Sequence, residues 1–297
     1  MATTTPMHGK FGALYVLRPN GFSGTGLNDL TWGYASDAAD LTYYEVVIDG
    51  NAPDTYKWRV NGGGWTSTVA FLGGVEETLA DAQTLTFAAQ LGHTIDDQWI
   101  IGNLKDEPTT IAGITAQITD ATARMINPNY PPVWTPTNAV QLVSVDYTKG
   151  IATFSAAPGA TTVTGNGGFV PAAALKKVGY LIDWNLNVTL DMADASRMGQ
   201  QWKEALPGQA SASGGANGYF VADQTLFNCL QESINAGEKY FLLQLFTYDP
   251  DQDQTGDHYN AWVTFTNFTV SPTISEVVKE AVSFQVFGGI STIIDNV

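Results

Sequence analysis

The clearest pattern in the chain is the alternation of Ile182, Trp184, Leu186, Val188 and Leu190 with Asp183, Asn185, Asn187, Thr189 and Asp191. A period of two sends the two sets to opposite sides of a pleated strand. The segment therefore predicts a strand that buries an apolar face and shows a polar, anionic one to water. Val282, Phe284 and Val286 alternate with Ser283 and Gln285 in the same way. Residues 239–246 are almost continuously apolar, which predicts a strand covered on both faces, with 262–270 as its partner and 249–257 as the loop between. One segment has a helical period. Leu226, Leu230 and Ile234 recur four apart with Phe227 beside them, predicting a helix over 225–235, with Asp223 or Thr225 as its cap and Gly237 as its stop.

The first half is also strand-like and reads as separable. Strands are expected at 43–48, 56–60, 84–87 and 98–101, with turns at 49–51 and 61–64. Residues 105–110 read as a polar linker, 114–125 as a short helix and 127–132 as a proline-rich connector. Segments 140–145 and 151–154 flank 146–150 as a hairpin. Segments 1–8, 206–218 and 290–297 are small-residue or terminal and have little apolar mass, so they are expected to be loose in the single chain. The whole predicts a mainly β protein, an antiparallel sandwich or barrel flanked by one α-helix.

Composition narrows the function classes. The 297 residues hold 29 Asp+Glu against 13 Lys+Arg, a formal net charge of −16, and only 14% of the chain is charged. Hydrophobic residues make up 44%, enough for a sizeable core. No basic stripe is present to release counterions from phosphates, which argues against a nucleic-acid grip and against an anionic membrane surface. The N-terminus has no basic start followed by an apolar stretch, and nothing approaches the roughly 20 apolar residues of a membrane span. Cys229 is the single cysteine, consistent with folding in a reducing cytoplasm by packing alone.

Catalytic and metal chemistry finds little to stand on. His8, His93 and His258 lie far apart and read as lone polar or turn residues, and no G-x-S-x-G, H-E-x-x-H or P-loop is present. Asp249, Asp251 and Asp253 have calcium-loop spacing, but position six is Gln254 and position twelve Asn260. Asp183 and Asp191 share a strand face, yet eight residues at about 3.3 Å each put them too far apart for a glycosidase pair. The eight tryptophans are scattered, which suits a core better than a sugar platform. No catalytic, cofactor or metal residue is assigned.

Several stretches together resemble the major tail tube protein of long, non-contractile-tailed (siphovirus-type) bacteriophages. One runs from Trp184 through Asp191-Met192-Ala193-Asp194 and Trp202-Lys203-Glu204 to Pro207-Gly208 and the Ser/Gly stretch ending at Tyr219-Phe220. Another is the helix at 225–235 followed by the covered strand. The third is 262–270 followed by 277–289, ending Phe287-Gly288-Gly289. The opening Gly9-Lys10-Phe11-Gly12-Ala13-Leu14-Tyr15-Val16 is similar to the family's first strand, and 42–105 to an accessory element of tail proteins. The resemblance implies a discontinuous tube domain (1–41 and 110–297) with a β-rich insertion at 42–109. It implies hexameric rings of the chain stacked into a hollow tube, located in the virion after synthesis in the host cytoplasm. DNA would pass through as cargo rather than as a bound ligand. Tape measure protein in the lumen, a tail terminator and distal tail or baseplate proteins would be its partners. Lumen-facing candidates are Asp183, Asn185, Asn187, Thr189 and Asp191; inter-ring candidates are His8, Lys10, Lys203, Glu204, Ser211, Ser213, Ile290, Ile293 and Ile294. The alternative reading is a carbohydrate- or receptor-binding accessory module of a phage tail, and a third is an extracellular glycoside hydrolase.

Overall fold

A computed structural model describes residues 13–33, 41–179, 181–194, 205–219, 225–235, 239–247, 257–271 and 278–293. Among them the chain is mainly β, with antiparallel strands and one α-helix, as expected. The first strands are β1 (Ala13–Leu17), β2 (Phe22–Ser23), β3 (Leu30–Trp32), β4 (Thr42–Asn51), β5 (Asp54–Val60), β6 (Val69–Ala70), β7 (Glu76–Thr78) and β8 (Thr84–Phe87). Next come β9 (Gln98–Ala112), β10 (Thr115–Ile118), β11 (Val133–Pro136), β12 (Leu142–Asp146), β13 (Ile151–Phe154), β14 (Thr161–Phe169) and β15 (Lys176–Lys177). The last are β16 (Leu181–Asp194), β17 (Ala205–Tyr219), helix α1 (Thr225–Asn235), β18 (Phe241–Phe246), β19 (His258–Ser271) and β20 (Lys279–Ile293).

The chain sorts these strands into two main sheets. A seven-stranded sheet has the order β15-β1-β18-β19-β20-β17-β16. A ten-stranded sheet is built from β2, β4–β6 and β9–β14, with a three-stranded sheet of β3, β8 and β7 beside it. Strands β10 to β14, which follow the expected end of the insertion at 109, pair within the ten-stranded sheet. Residues 105–110 are part of the long strand β9 rather than a linker, because β14 and β10 pair on either side of it. Residues 114–125 form β10 and a 3₁₀ turn (Ala121–Ala123) rather than a helix.

Strand β18, apolar but for Gln244, shows why such a stretch is needed here. Leu243 and Leu245 face a core with Leu14, Val16, Val263, Phe265, Val282 and Phe284, which Leu226 and Cys229 of α1 cover. Leu242 points the other way, joining Leu17 and Trp262 against Ile100, Val170 and Ala174 of the ten-stranded unit and its flanks. Helix α1 has the expected bounds and presents Leu226 and Cys229 inward, but Ile234, at the end of the expected stripe, is 71% exposed. The seven-stranded sheet is strongly curled, so that β16 meets β1 although they are not paired, and Trp184 Nε1 donates to the Phe246 carbonyl across the gap (3.0 Å).

Residues 206–218, expected to be a loose segment, instead lie in β17. Their small side chains are what the packing requires. A Cβ on Gly214 would lie 2.3 Å from the Asn185 carbonyl oxygen and 2.6 Å from Cζ of Phe284, so the ring of a core residue occupies the space a larger side chain would fill. Overpacking at such a site costs about 1–3 kcal/mol. Gly214→Val should lower the denaturation midpoint by that order, whereas Ser213→Val, at an exposed position of the same strand, should change stability by less than about 0.5 kcal/mol. Chemical denaturation of both variants checks the contrast.

Candidate functional site

The long hairpin of β16 and β17 has two unlike sides. Asp183 pairs with Asn217, Asn185 with Gly215, Asn187 with Ser213 and Thr189 with Ser211, so these residues share one face. On β20 the next positions across are Ala281, Ser283 and Gln285. Asn217 Nδ2 donates to Asp183 Oδ1 (2.5 Å), and the Thr189 and Ser211 hydroxyls meet at 2.8 Å. All five lumen candidates are exposed. Ser211 and Ser213, expected as inter-ring contacts, lie in the same polar row as those candidates. Lys279 shares the alternation of Ser283 and Gln285, so the full face carries a base at its end even though β16 carries none among its lumen candidates.

The opposite side is apolar, with a correction to its membership. A register shift between Leu181 and Asp183 makes Ile182 the extra residue of a bulge. Leu181 joins Trp184 and Leu186 against the core, while Ile182 is exposed. The expected burial of the whole apolar set is also corrected. Helix α1 contacts β19, and the covered core stops short of the hairpin's outer half. Val188 is 59% exposed, Leu190 52% and Met192 58%.

Beside these residues lies an apolar groove of about 330 Å³, lined among others by Leu186, Val188, Ala212, Tyr259 and Ile290. It exists because β17 and β20 part company. Their ladder ends at Ser213 and Gln285, and the Gln285 side chain adds one last hydrogen bond by donating Nε2 to the Ala212 carbonyl (2.8 Å). Ile290 is half-buried at this groove, and Ile293, paired with His258, is exposed. Residues 290–293 are thus ladder positions of β20 rather than a loose tail. His8, Lys10, Lys203, Glu204 and Ile294 lie outside the described residues, as does most of the acidic loop 249–257.

Two further features were not legible as sites. His93 is buried between two aspartates rather than at a solvated turn. Trp65 is exposed, with Arg59 Cζ 4.4 Å and Lys57 Nζ 5.4 Å from its ring centre. Among the described residues no group of three or more His, Cys, Asp or Glu could hold a metal ion, and no helix is long and apolar enough to cross a membrane.

No protein-family model and no curated protein matches the chain. Among solved structures, it is similar to a protein in the tail of the empty gene transfer agent particle, refined with C6 symmetry. The identity is 16% over 41% of this chain and 89% of that one, with a TM-score of 0.35. It is also similar to a chain of the anti-feeding prophage baseplate (7% identity, 42% of this chain and 85% of that one, TM-score 0.35). A third likeness is to the SPP1 tail tube (12% identity, 40% and 67%, TM-score 0.33). These solved structures are of a particle tail, a baseplate and a tail tube.

The Gln285–Ala212 bond marks the point where the sheet opens. Gln285→Ala should cost about 1 kcal/mol of stability, the worth of one hydrogen bond of this kind. Denaturation of the variant checks this, and an unchanged midpoint would show that the bond does not hold the mouth of the groove.

Proposed function

We propose that the chain is a structural, non-enzymatic subunit that assembles with copies of itself into rings, stacked as the hollow tail tube of a phage. The observation that carries this reading is the uncovered outer half of the hairpin. Val188, Leu190 and Met192 lie in a row on a strand at the sheet edge, next to an apolar groove. An edge strand with an apolar side invites pairing, and most proteins that stay single blunt or cover such an edge. Covering each half-exposed side chain is worth on the order of 1 kcal/mol. A single such contact is weak, but a closed ring repeats it once per copy without further loss of free ends.

The other side of the same hairpin suits a bore. Asp183 and Asp191, among Asn, Ser and Thr, present no base cluster that could hold phosphates, while duplex DNA carries one charge per ~1.7 Å. Such a wall repels the cargo weakly and lets it slide. The curl of the sheet gives the ten-stranded unit its place. It packs on Leu17, Leu242 and Trp262, on the β1–β18–β19 side of the curled sheet, away from the polar row on β16 and β17. With that row in the bore, the accessory unit projects outward. The family resemblance of the sequence supports hexameric rings, a virion location, and contacts with a tape measure protein, a terminator and distal tail proteins.

A second reading, a carbohydrate- or receptor-binding accessory module, is favoured by one observation, the exposed Trp65 with Lys57 and Arg59. Arg59 is already held by Glu45 through two hydrogen bonds (2.9 and 2.7 Å), which leaves that platform less free to accept a ligand.

Negative-stain electron microscopy of the purified chain should show rings or tubes of uniform bore. Val188→Asp should keep the wild-type melting temperature within about 2 °C, since the residue is exposed in the single chain. It should abolish tubes and leave a monomer on size exclusion. Tubes of normal yield from Val188→Asp, or a wild-type monomer that binds polysaccharide beads, would overturn the reading.

A further inference from the structure

We propose that His93 is a charged latch that fastens the loop end of the ten-stranded unit, and that loss of its proton at alkaline pH releases the latch. Both ring nitrogens face carboxylates. Nδ1 lies 2.8 Å from Asp54 Oδ2 and Nε2 lies 2.9 Å from Asp29 Oδ1. A neutral imidazole has one donor and one acceptor, so it would turn a lone pair toward one of these oxygens. Only the imidazolium donates to both. The side chain is fully buried, so water cannot take the place of a missing donor.

The β3–β8 ladder ends at Leu30 and Phe87, just short of Asp29 and of the stretch that carries His93. Asp29 precedes β3, Asp54 opens β5, and His93 lies between β8 and β9. The carboxylates also hold backbone: Asp54 Oδ2 accepts from His93 N (3.1 Å) and Asp29 Oδ2 from Ala89 N (2.6 Å). Asp97 pins the same loops independently, accepting from Thr25 N, Gly26 N and Thr94 N. The groups facing the imidazole are thus Asp29 and Asp54, with the rings of Phe71, Phe87 and Trp99 edge-on around it. Leu27 and Leu91, both exposed, ride on the latched loops, and Leu27 N donates to the Gly92 carbonyl. The latch therefore sets how an apolar loop tip is presented.

Burial alone would lower the His93 pKa, but the hydrogen bonds and charges of Asp29 and Asp54 outweigh it and hold it above the usual histidine value. A raised folded-state value means the stabilisation is complete below the unfolded pKa of about 6.5 and is lost as pH rises through the folded value.

The test uses the full chain. Nitrogen-15 histidine NMR should show both ring nitrogens of His93 protonated at pH 7, where a free histidine is mostly neutral. A neutral tautomer at that pH would overturn the proposal. Hydrogen exchange, corrected for intrinsic rates, should show protection at 25–29 and 88–94 falling at least tenfold between pH 7 and 10, while β19 and β20 stay protected. His93→Gln should remove that pH dependence, and its persistence in the variant would refute the latch. If His93→Gln does not fold, Asp29→Asn provides the second arm. It keeps one carboxylate and should move the midpoint of loosening to lower pH by about one unit, and an unmoved midpoint would count against the proposal.

Discussion

The constraint on which the rest depends is that the seven-stranded sheet has more apolar face than the described residues cover. Helix α1 closes the part around Phe265, Val282 and Phe284, and Trp184 and Leu186 complete that core at the strand edge. Beyond them the hairpin continues with Val188, Leu190 and Met192, each more than half exposed among the described residues, while its reverse side remains polar. In the proposed ring a neighbouring copy would supply the missing cover, and the same step would bring the polar sides of successive copies around a common axis.

The ten-stranded unit shares a core with the seven-stranded sheet. Leu242 and Trp262 belong to a core shared with Ile100, Val170 and Ala174, and Tyr240 stacks on Phe287 with ring centres 4.0 Å apart. On another side, Arg18 leaves β1 and forks onto Glu232 of α1, which also accepts from Asn28 of the loop leading to β3. This partly buried pair ties helix, sheet and accessory loops into one arrangement, so the curl of the sheet also fixes the direction in which the ten-stranded unit points.

Much of the seven-stranded sheet was legible in the sequence because its strands announce themselves locally. β18 is apolar but for Gln244 because both its faces are covered, and β20 alternates because one of its faces is wet. The helix has its expected bounds because only one segment carries a 3.6 period. β17 was not legible, since Ala, Gly and Ser read as a loop until Phe284 and Trp184 are placed opposite them, and that complementarity is a property of the pair of strands. The pairing of β9 with β14 spans 54 to 67 positions, so no local pattern could move residues 115–169 into the other sheet. The polar row of the candidate site followed from alternation alone. The exposure of its apolar reverse did not, because it depends on how far a helix reaches. His93 stood alone in sequence because Asp54 and Asp29 are 39 and 64 residues away.

The negative charge also gains a location, though only in part. Asp183 and Asp191 are placed on an exposed polar row, and Lys279 at its end limits how acidic that row is. The most direct measurement is a helical cryo-electron microscopy reconstruction of tubes grown from the purified chain. The account predicts Asp183 and Asp191 lining the bore, Val188 and Leu190 covered by a neighbouring copy, and the ten-stranded unit outside. A tube with Asp183 facing outward or into a subunit core, or with Val188 left in solvent, would contradict it.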